Sequence, residues 1–255
     1  MKDAAAPARD PGTGTNSDYR MLEYDAASRY SHAAEWIRRL AGDGSTLVDI
    51  GCGGGNVLGY LRAETGIGCL TGIDMSRGDL RRARERAGCE VHEGSILDER
   101  LVERLAGRFD FAVLGAVLHH VVGRTRRDSR RRARLALAHS VSLVRPGGHL
   151  VVHEPVFQPR WAMSLVFWVK RAAATLTSRR LELLDRWNNL GAPVVSYYTL
   201  EELRRMVADE GRAELVDVRS VPAYLPALQR AAFIRRREDA SLLVRRGQAA
   251  CASSS

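Results

Sequence analysis

Short apolar runs and amphipathic stretches alternate along this chain. The runs lie at 46–50, 69–73, 109–114, 148–153 and 214–219, and segments with helical spacing fall at about 55–64, 77–87, 98–106, 127–143 and 199–210. Buried strands alternating with one-sided helices predict βαβ units on a mostly parallel sheet with helices on both faces. The strand at 214–219 and a seventh at about 231–236 have no helical pattern between them, which predicts an antiparallel last pair at one edge. Tyr24 to Leu40 reads as an extra first helix, with Tyr24, Ala27, Tyr30 and Ala34 near one face. Residues 156–196 carry Trp161, Phe167, Trp168 and Trp187 without a strand pattern, and read as a helical insertion.

The ends differ from the middle. Residues 1–18 hold mostly Ala, Pro, Gly, Thr, Asn and Ser and predict a mobile arm. The domain is expected over 19–240, with 241–255 as a tail, and no internal repeat is visible. The length of 255 residues suits one large α/β domain. No signal-peptide pattern opens the chain, and the apolar run Trp161 to Val169 is far shorter than the ~20 residues of a membrane span. The expectation is therefore a soluble cytoplasmic protein. The four cysteines, at 52, 69, 89 and 251, lack metal-ligand spacing, so no metal site is expected. Net charge is +9, yet of 39 basic residues only Lys2 and Lys170 are lysines, a bias that reads as a GC-rich genome more than as binding sites. The arginine clusters at 77–86 and 124–134 fall on outer helices and are expected to be solvated faces, with nucleic acid an unfavoured partner.

The chemistry concentrates in Leu47-Val-Asp-Ile-Gly-Cys-Gly-Gly-Gly-Asn56, a strand, a glycine turn and a helix start. Glycines there let backbone approach a ligand while helix-terminal N–H groups point at it. A second strand, Leu70-Thr-Gly-Ile-Asp74, ends in a carboxylate placed to accept hydrogen bonds from ribose hydroxyls. The dinucleotide fingerprint started at Gly51 requires Gly or Ala where Asn56 stands, so that ligand class fits poorly.

On these residues the chain resembles the class I S-adenosylmethionine-dependent methyltransferases, whose first motif is acid-x-Gly-x-Gly-x-Gly; here it reads Asp49-Ile-Gly51-Cys52-Gly53-Gly-Gly55. Further motifs follow in register: Asp74-Met75-Ser76, Glu93-Gly94-Ser95-Ile96, the fourth strand running into Gly115-Ala-Val-Leu-His119-His120, the Arg-Pro-Gly-Gly turn into His153-Glu154, and Ser196-Tyr197-Tyr198-Thr199. The resemblance implies a Rossmann-like fold, S-adenosyl-L-methionine as cofactor, and a cofactor site of Asp49, Gly51, Cys52, Gly53, Asp74, Met75, Ser95, Ile96 and Gly115. Ser95 stands where the family commonly has Asp, which leaves adenine to the hydroxyl and the Ile96 backbone. At the tips of strands four and five, His119, His120 and Glu154 are the candidate catalytic groups; strand alternation lets only one of His153 and Glu154 face the pocket. Tyr24, Tyr30, Trp168 and Tyr197 are candidate substrate contacts, with the 156–196 insertion as a helical cap. For Asp49, the histidine pair and the tyrosines, structural roles stand beside these functional ones. The implied function is methyl transfer to an O or N nucleophile of a small molecule or peptide natural product, in bacterial specialised metabolism. RNA or protein modification, and a non-catalytic cofactor-binding protein on this fold, are the competing readings. A homodimer packing on the apolar insertion is a further expectation.

Overall fold

The computed structural model describes residues 26–176 and 194–248. The proposed arm at 1–18, Tyr24 and Trp187 lie outside the described residues. Helix α1 (Ala26–Leu40) precedes β1 (Thr46–Ile50), α2 (Asn56–Thr65), β2 (Cys69–Asp74), α3 (Arg77–Ala87), β3 (Glu90–Glu93), α4 (Glu99–Leu105) and β4 (Phe109–Gly115). A 3-10 turn (Leu118–His120) leads to α5 (Arg126–Leu143), β5 (Val144–Gln158), α6 (Arg160–Leu176), α7 (Leu200–Ala208), β6 (Ala213–Pro222), α8 (Ala227–Ala231) and β7 (Arg236–Arg246).

The seven strands form one sheet in the order β3-β2-β1-β4-β5-β7-β6. Strands β1 to β5 pair in parallel, and β7 runs antiparallel to both β5 and β6. Strand order reverses between β1 and β4, which opens a crevice outside their carboxyl ends, where ligands bind in open α/β sheets. Apolar positions alternate along the strands and feed two cores. Val48, Ile50, Leu114 and Val152 pack with α4, α5 and α7, while Leu47, Phe111, Val113 and Val151 pack with α1, α2 and α3. Polar residues just ahead of the helices fix their starts. Ser76, Asp98 and Thr125 accept backbone N–H bonds at the N-termini of α3, α4 and α5, and Thr199 with Glu202 forms a capping box on α7. No described helix is long and apolar enough to cross a membrane.

Several expectations need correction. Strand β5 does not stop at 153: it continues through Pro155 to Gln158, the first residues of the supposed insertion. Pairing with β4 ends at His153, so beyond that point one edge of β5 is free of its neighbour strand and tolerates a proline without an N–H. The last strand is not 231–236 but Arg236–Arg246, so the boundary at 240 cuts through the sheet. Leu242, Leu243 and Val244, assigned to a tail, are buried between β5 and β6. A short helix, α8, stands between β6 and β7, where none was expected. On α1 the buried stripe is Tyr30, Ala33, Ala34, Trp36 and Ile37; Ala27 is exposed. The arginines of α5 are mostly ion-paired on the surface, to Glu202, Asp128 and Asp209, but Arg126 is buried.

Candidate active site

The glycine turn is built against β2 before any ligand is considered. The Gly51 and Cys52 N–H groups both donate to the Ile73 carbonyl, at 2.7 and 3.1 Å. Gly53 has φ 50°, and its N–H donates to Asp74 Oδ2 at 2.9 Å; the other carboxylate oxygen accepts from Ser76 N–H at 2.8 Å. A Cβ on Gly51 would come within 2.6 Å of Val117 Cγ2, so the turn packs directly on the segment after β4. A Cβ on Gly53 would meet nothing within 4 Å: above that residue the backbone faces open space. Asp49, inside β1, is buried, and its Oδ2 has no hydrogen-bond partner. Burial first, and the Asp74 charge second, push its pKa up to about 8.

The remaining cofactor-side residues divide. Cys52 turns its thiol into the core, where a Cβ on Gly72 would lie 2.7 Å from it, so only its backbone borders the crevice. Met75 is 73% exposed beside Asp74. The Ser95 hydroxyl accepts from Leu97 N–H at 3.2 Å, and Ile96 buries its side chain while its carbonyl meets His139 Nδ1 at 2.7 Å. Gly115 closes β4 under the Tyr30 ring, whose hydroxyl would lie 2.2 Å from a Cβ placed there. Ala116, next in the chain, holds φ 57°, an unusual conformation for a residue with a side chain, and donates its N–H to the His153 carbonyl at 2.7 Å.

The neighbouring tips of β4 and β5 bring His119 and Glu154 together. Glu154 is 1% exposed; its Oε1 accepts Leu118 N–H at 2.6 Å, and its Oε2 lies 2.6 Å from His119 Nδ1. A carboxylate at Nδ1 selects the tautomer with the proton there and leaves a lone pair on Nε2. The His119 ring stacks on Tyr197 at 5.3 Å and lies 4.0 Å from the His120 ring, while Ser196 N–H donates to the His119 carbonyl at 2.9 Å. Tyr197 in turn packs on Phe157 at 4.5 Å. His120 is exposed. His153 points to the opposite sheet face, as alternation requires: its Nδ1 meets Ser241 Oγ at 2.9 Å and its ring lies 4.6 Å from Tyr30. Burial drives its pKa down to about 3, so it stays neutral.

Two further observations bear on the predicted contacts. Trp168 is half exposed on the outer side of α6, away from the His119 cluster, and the residues that α6 turns inward are Ala162, Met163, Phe167 and Lys170. Arg126, which the sequence placed on a solvated face, instead donates Nη1 to Ser196 Oγ and the Tyr197 carbonyl, at 2.7 and 2.6 Å. It thereby holds the segment that covers His119. No group of three or more His, Cys, Asp and Glu side chains suited to a metal ion occurs among the described residues.

Comparison with known proteins agrees with this geometry. The model of the family described as "Methyltransferase domain" matches residues 24–213. The ubiquinone biosynthesis O-methyltransferase of Pseudomonas paraeruginosa is 38% identical over 90 residues, covering 34% of this chain and 38% of that protein. The tRNA (carboxymethyluridine(34)-5-O)-methyltransferase alkbh8 of Xenopus tropicalis is 33% identical over 110 residues, covering 43% of this chain and 15% of that protein. The chain therefore spans well under two thirds of these relatives. Among solved structures, a SAM-dependent methyltransferase of Methanosarcina mazei superposes with TM-score 0.58 at 16% identity, covering 84% of this chain and 98% of the other. The magnesium protoporphyrin IX methyltransferase of Synechocystis PCC 6803, solved with bound SAH, gives 0.57 at 14% identity, covering 93% and 90%. With the family model spanning the glycine turn, the five parallel strands and both strand tips, the chain belongs to the methyltransferase domain family and has a Rossmann-like fold.

Proposed function

We propose that the enzyme methylates an oxygen or nitrogen nucleophile of a small molecule or peptide natural product in specialised metabolism, and that a hydroxyl is the favoured acceptor. The observation that carries this reading is the buried His119–Glu154 pair, at 2.6 Å beside the β4 tip. A hydroxyl or phenol must lose its proton as it attacks, and this pair supplies a base for it. The first relatives are named as O-methyltransferases, which supports the same choice.

The residues present fit the cofactor. The backbone of Gly51 and Gly53, the orphaned Asp49 oxygen and the Tyr30–Gly115 contact would form the wall for its methionine portion. Asp74 would hold the ribose and Met75 would cover the adenine, with Ser95 and Ile96 at its edge. S-adenosylmethionine supplies, when bound, a methyl carbon already activated by its sulfonium. The protein's work is then alignment and proton transfer. Glu154 fixes the His119 ring and stabilises the imidazolium that forms when Nε2 takes the acceptor's proton. Tyr197 restricts that ring from its other face. Holding the acceptor close and aligned at the His119 end of the crevice would lower the barrier by several kcal/mol.

The test begins with a panel of phenol, alcohol and amine acceptors assayed by methyl transfer. His119→Ala should lower kcat about 10²–10⁴-fold on hydroxyl acceptors and remove an ionisation from the pH–rate profile. Asp74→Ala should weaken cofactor binding by about 1.5–3 kcal/mol by calorimetry. Should His119→Ala and His120→Ala both keep full kcat from about pH 6 to 9, histidine base catalysis is excluded and an amine becomes the acceptor. The tRNA-modifying relative keeps RNA as the second reading. Salt-sensitive retention of RNA would favour it, since phosphate contacts weaken steeply with salt.

A further inference from the structure

The first residue of α5 is a cation in an unfavourable place. Arg126 is 5% exposed and stands at the helix N-terminus, the end where the backbone dipole favours negative charge. Burial first, and the Arg130 charge second, pull its pKa below the usual guanidinium value. No carboxylate among the described residues pairs with it: Glu202, whose charge reaches it, is held by Arg130 and Arg160. A buried guanidinium without an ion pair is less favourable than a packed hydrocarbon of similar length. Arg126 therefore adds little to the fold as a charge. Its hydrogen bonds lead instead to the reacting end of the crevice.

Nη1 alone makes two of these bonds, to Ser196 Oγ and the Tyr197 carbonyl, and the guanidinium carbon lies 5.6 Å over the Tyr198 ring. Arg126 thus grips three consecutive residues, and each of them touches the β4 and β5 tips from its other side. Ser196 N–H donates to the His119 carbonyl, Tyr197 stacks on the His119 imidazole, and the Tyr198 carbonyl accepts Phe157 N–H at 3.1 Å. Chain connectivity closes the ring of contacts. Only residues 121–125 separate the His119 turn from Arg126, and two of their N–H groups, at Gly123 and Arg124, are pinned to Ser129 and Asp128 of α5. Glu154 sets the tautomer of His119 at Nδ1, but one hydrogen bond leaves a ring free to swing about that contact. The Tyr197 ring blocks the swing, and Arg126 anchors the backbone that carries Tyr197.

Resting on the reading of His119 as the base, we propose that Arg126 is a positioning residue of the reaction, holding the imidazole through Ser196 and Tyr197 so that Nε2 meets the acceptor's proton. A hydroxyl acceptor needs that base and an amine arriving neutral does not, which separates this role from plain structural support. In the acceptor panel Arg126→Met should lower kcat about tenfold or more on hydroxyl acceptors, leave acceptor KM and S-adenosylhomocysteine affinity within about twofold, and spare amine acceptors. Arg126→Lys, which keeps a donor in place, should recover part of the loss, and Arg126→Met should add nothing in a His119→Ala background. The ring itself gives a readout independent of turnover. In protein labelled with 13C,15N-histidine and saturated with S-adenosylhomocysteine, Arg126→Met should move the His119 signals as the Tyr197 ring current is lost, while His32, His92 and His149, which lie outside the clamp, stay in place. Ser196→Ala removes one of the two bonds and leaves the charge, so it should move His119 in the same direction by less. Unmoved His119 signals in Arg126→Met, or in Ser196→Ala where the Met variant does not fold, overturn the proposal. Equal losses on hydroxyl and amine acceptors overturn it as well. Full kcat in His119→Ala would instead strike the base reading, and is seen without any Arg126 variant.

Discussion

At the scale of single residues, Asp49, proposed above as a cofactor contact, shows how a buried acid opposes the stability of its own fold. Its carboxyl is buried in β1 with one oxygen unpartnered, and its pKa rises from 3.8 to about 8. Between those values the native protein keeps a proton that the unfolded chain has released. Stability is therefore full below the lower value and falls as pH rises through the upper one. Asp49→Asn removes this dependence, so its melting temperature should exceed that of the wild type by a margin that widens from pH 5 to pH 8, while cofactor affinity drops. Parallel melting curves across that range would disprove the assignment. The acid, the glycines and Asp74 were legible in the sequence because a local motif positions them. The His119–Glu154 contact needed the register of β4 on β5, with Gly115 opposite His153, which no local pattern carries. Arg126 and Lys170 were hidden for a different reason: a charged residue on a helix reads as solvated until the packing around it is known.

Elements were read well where hydrophobic periodicity was strong and badly where backbone pairing decided. Strands β1, β2, β4, β5 and β6 and most of the helices between them follow from alternating apolar runs, whereas the short edge strand β3, Glu-Val-His-Glu, carries no such run. Strand β7 begins in Arg236-Arg-Glu-Asp, a sequence that reads as loop, yet it is a strand because β5 and β6 flank it on both sides. The apolar Ala231–Ile234 segment, which reads as strand, turns instead: Phe233 takes φ 63° and only Ile234 is buried. Since Leu242 is wholly buried in the middle of this strand, Leu242→Ala should cost about 2–5 kcal/mol in urea unfolding. A value near zero would mean that β7 is peripheral, as the tail assignment had it.

For the whole molecule, the sheet separates two cores and the cofactor crevice lies at the edge where both end, beyond β1, β2 and β4. A ligand bound there should stabilise the fold as a unit. At one hundred times its dissociation constant S-adenosylhomocysteine adds about 2.7 kcal/mol, a rise of roughly 5–10 °C in melting temperature. Unchanged melting at that occupancy would mean that binding does not couple to global unfolding. The clamp formed by Asp74, with Gly53 on one oxygen and Ser76 on the other, has a temporal consequence. If Asp74 holds the ribose as proposed, that end of the crevice is already set by these bonds and should meet the demethylated product in the same ready state as the methyl donor. Losing one methyl group changes nothing at that end, so the spent molecule leaves no faster through it than the fresh one. On the proposed function the demethylated by-product should therefore compete with the donor, and the ratio of the two should throttle the reaction.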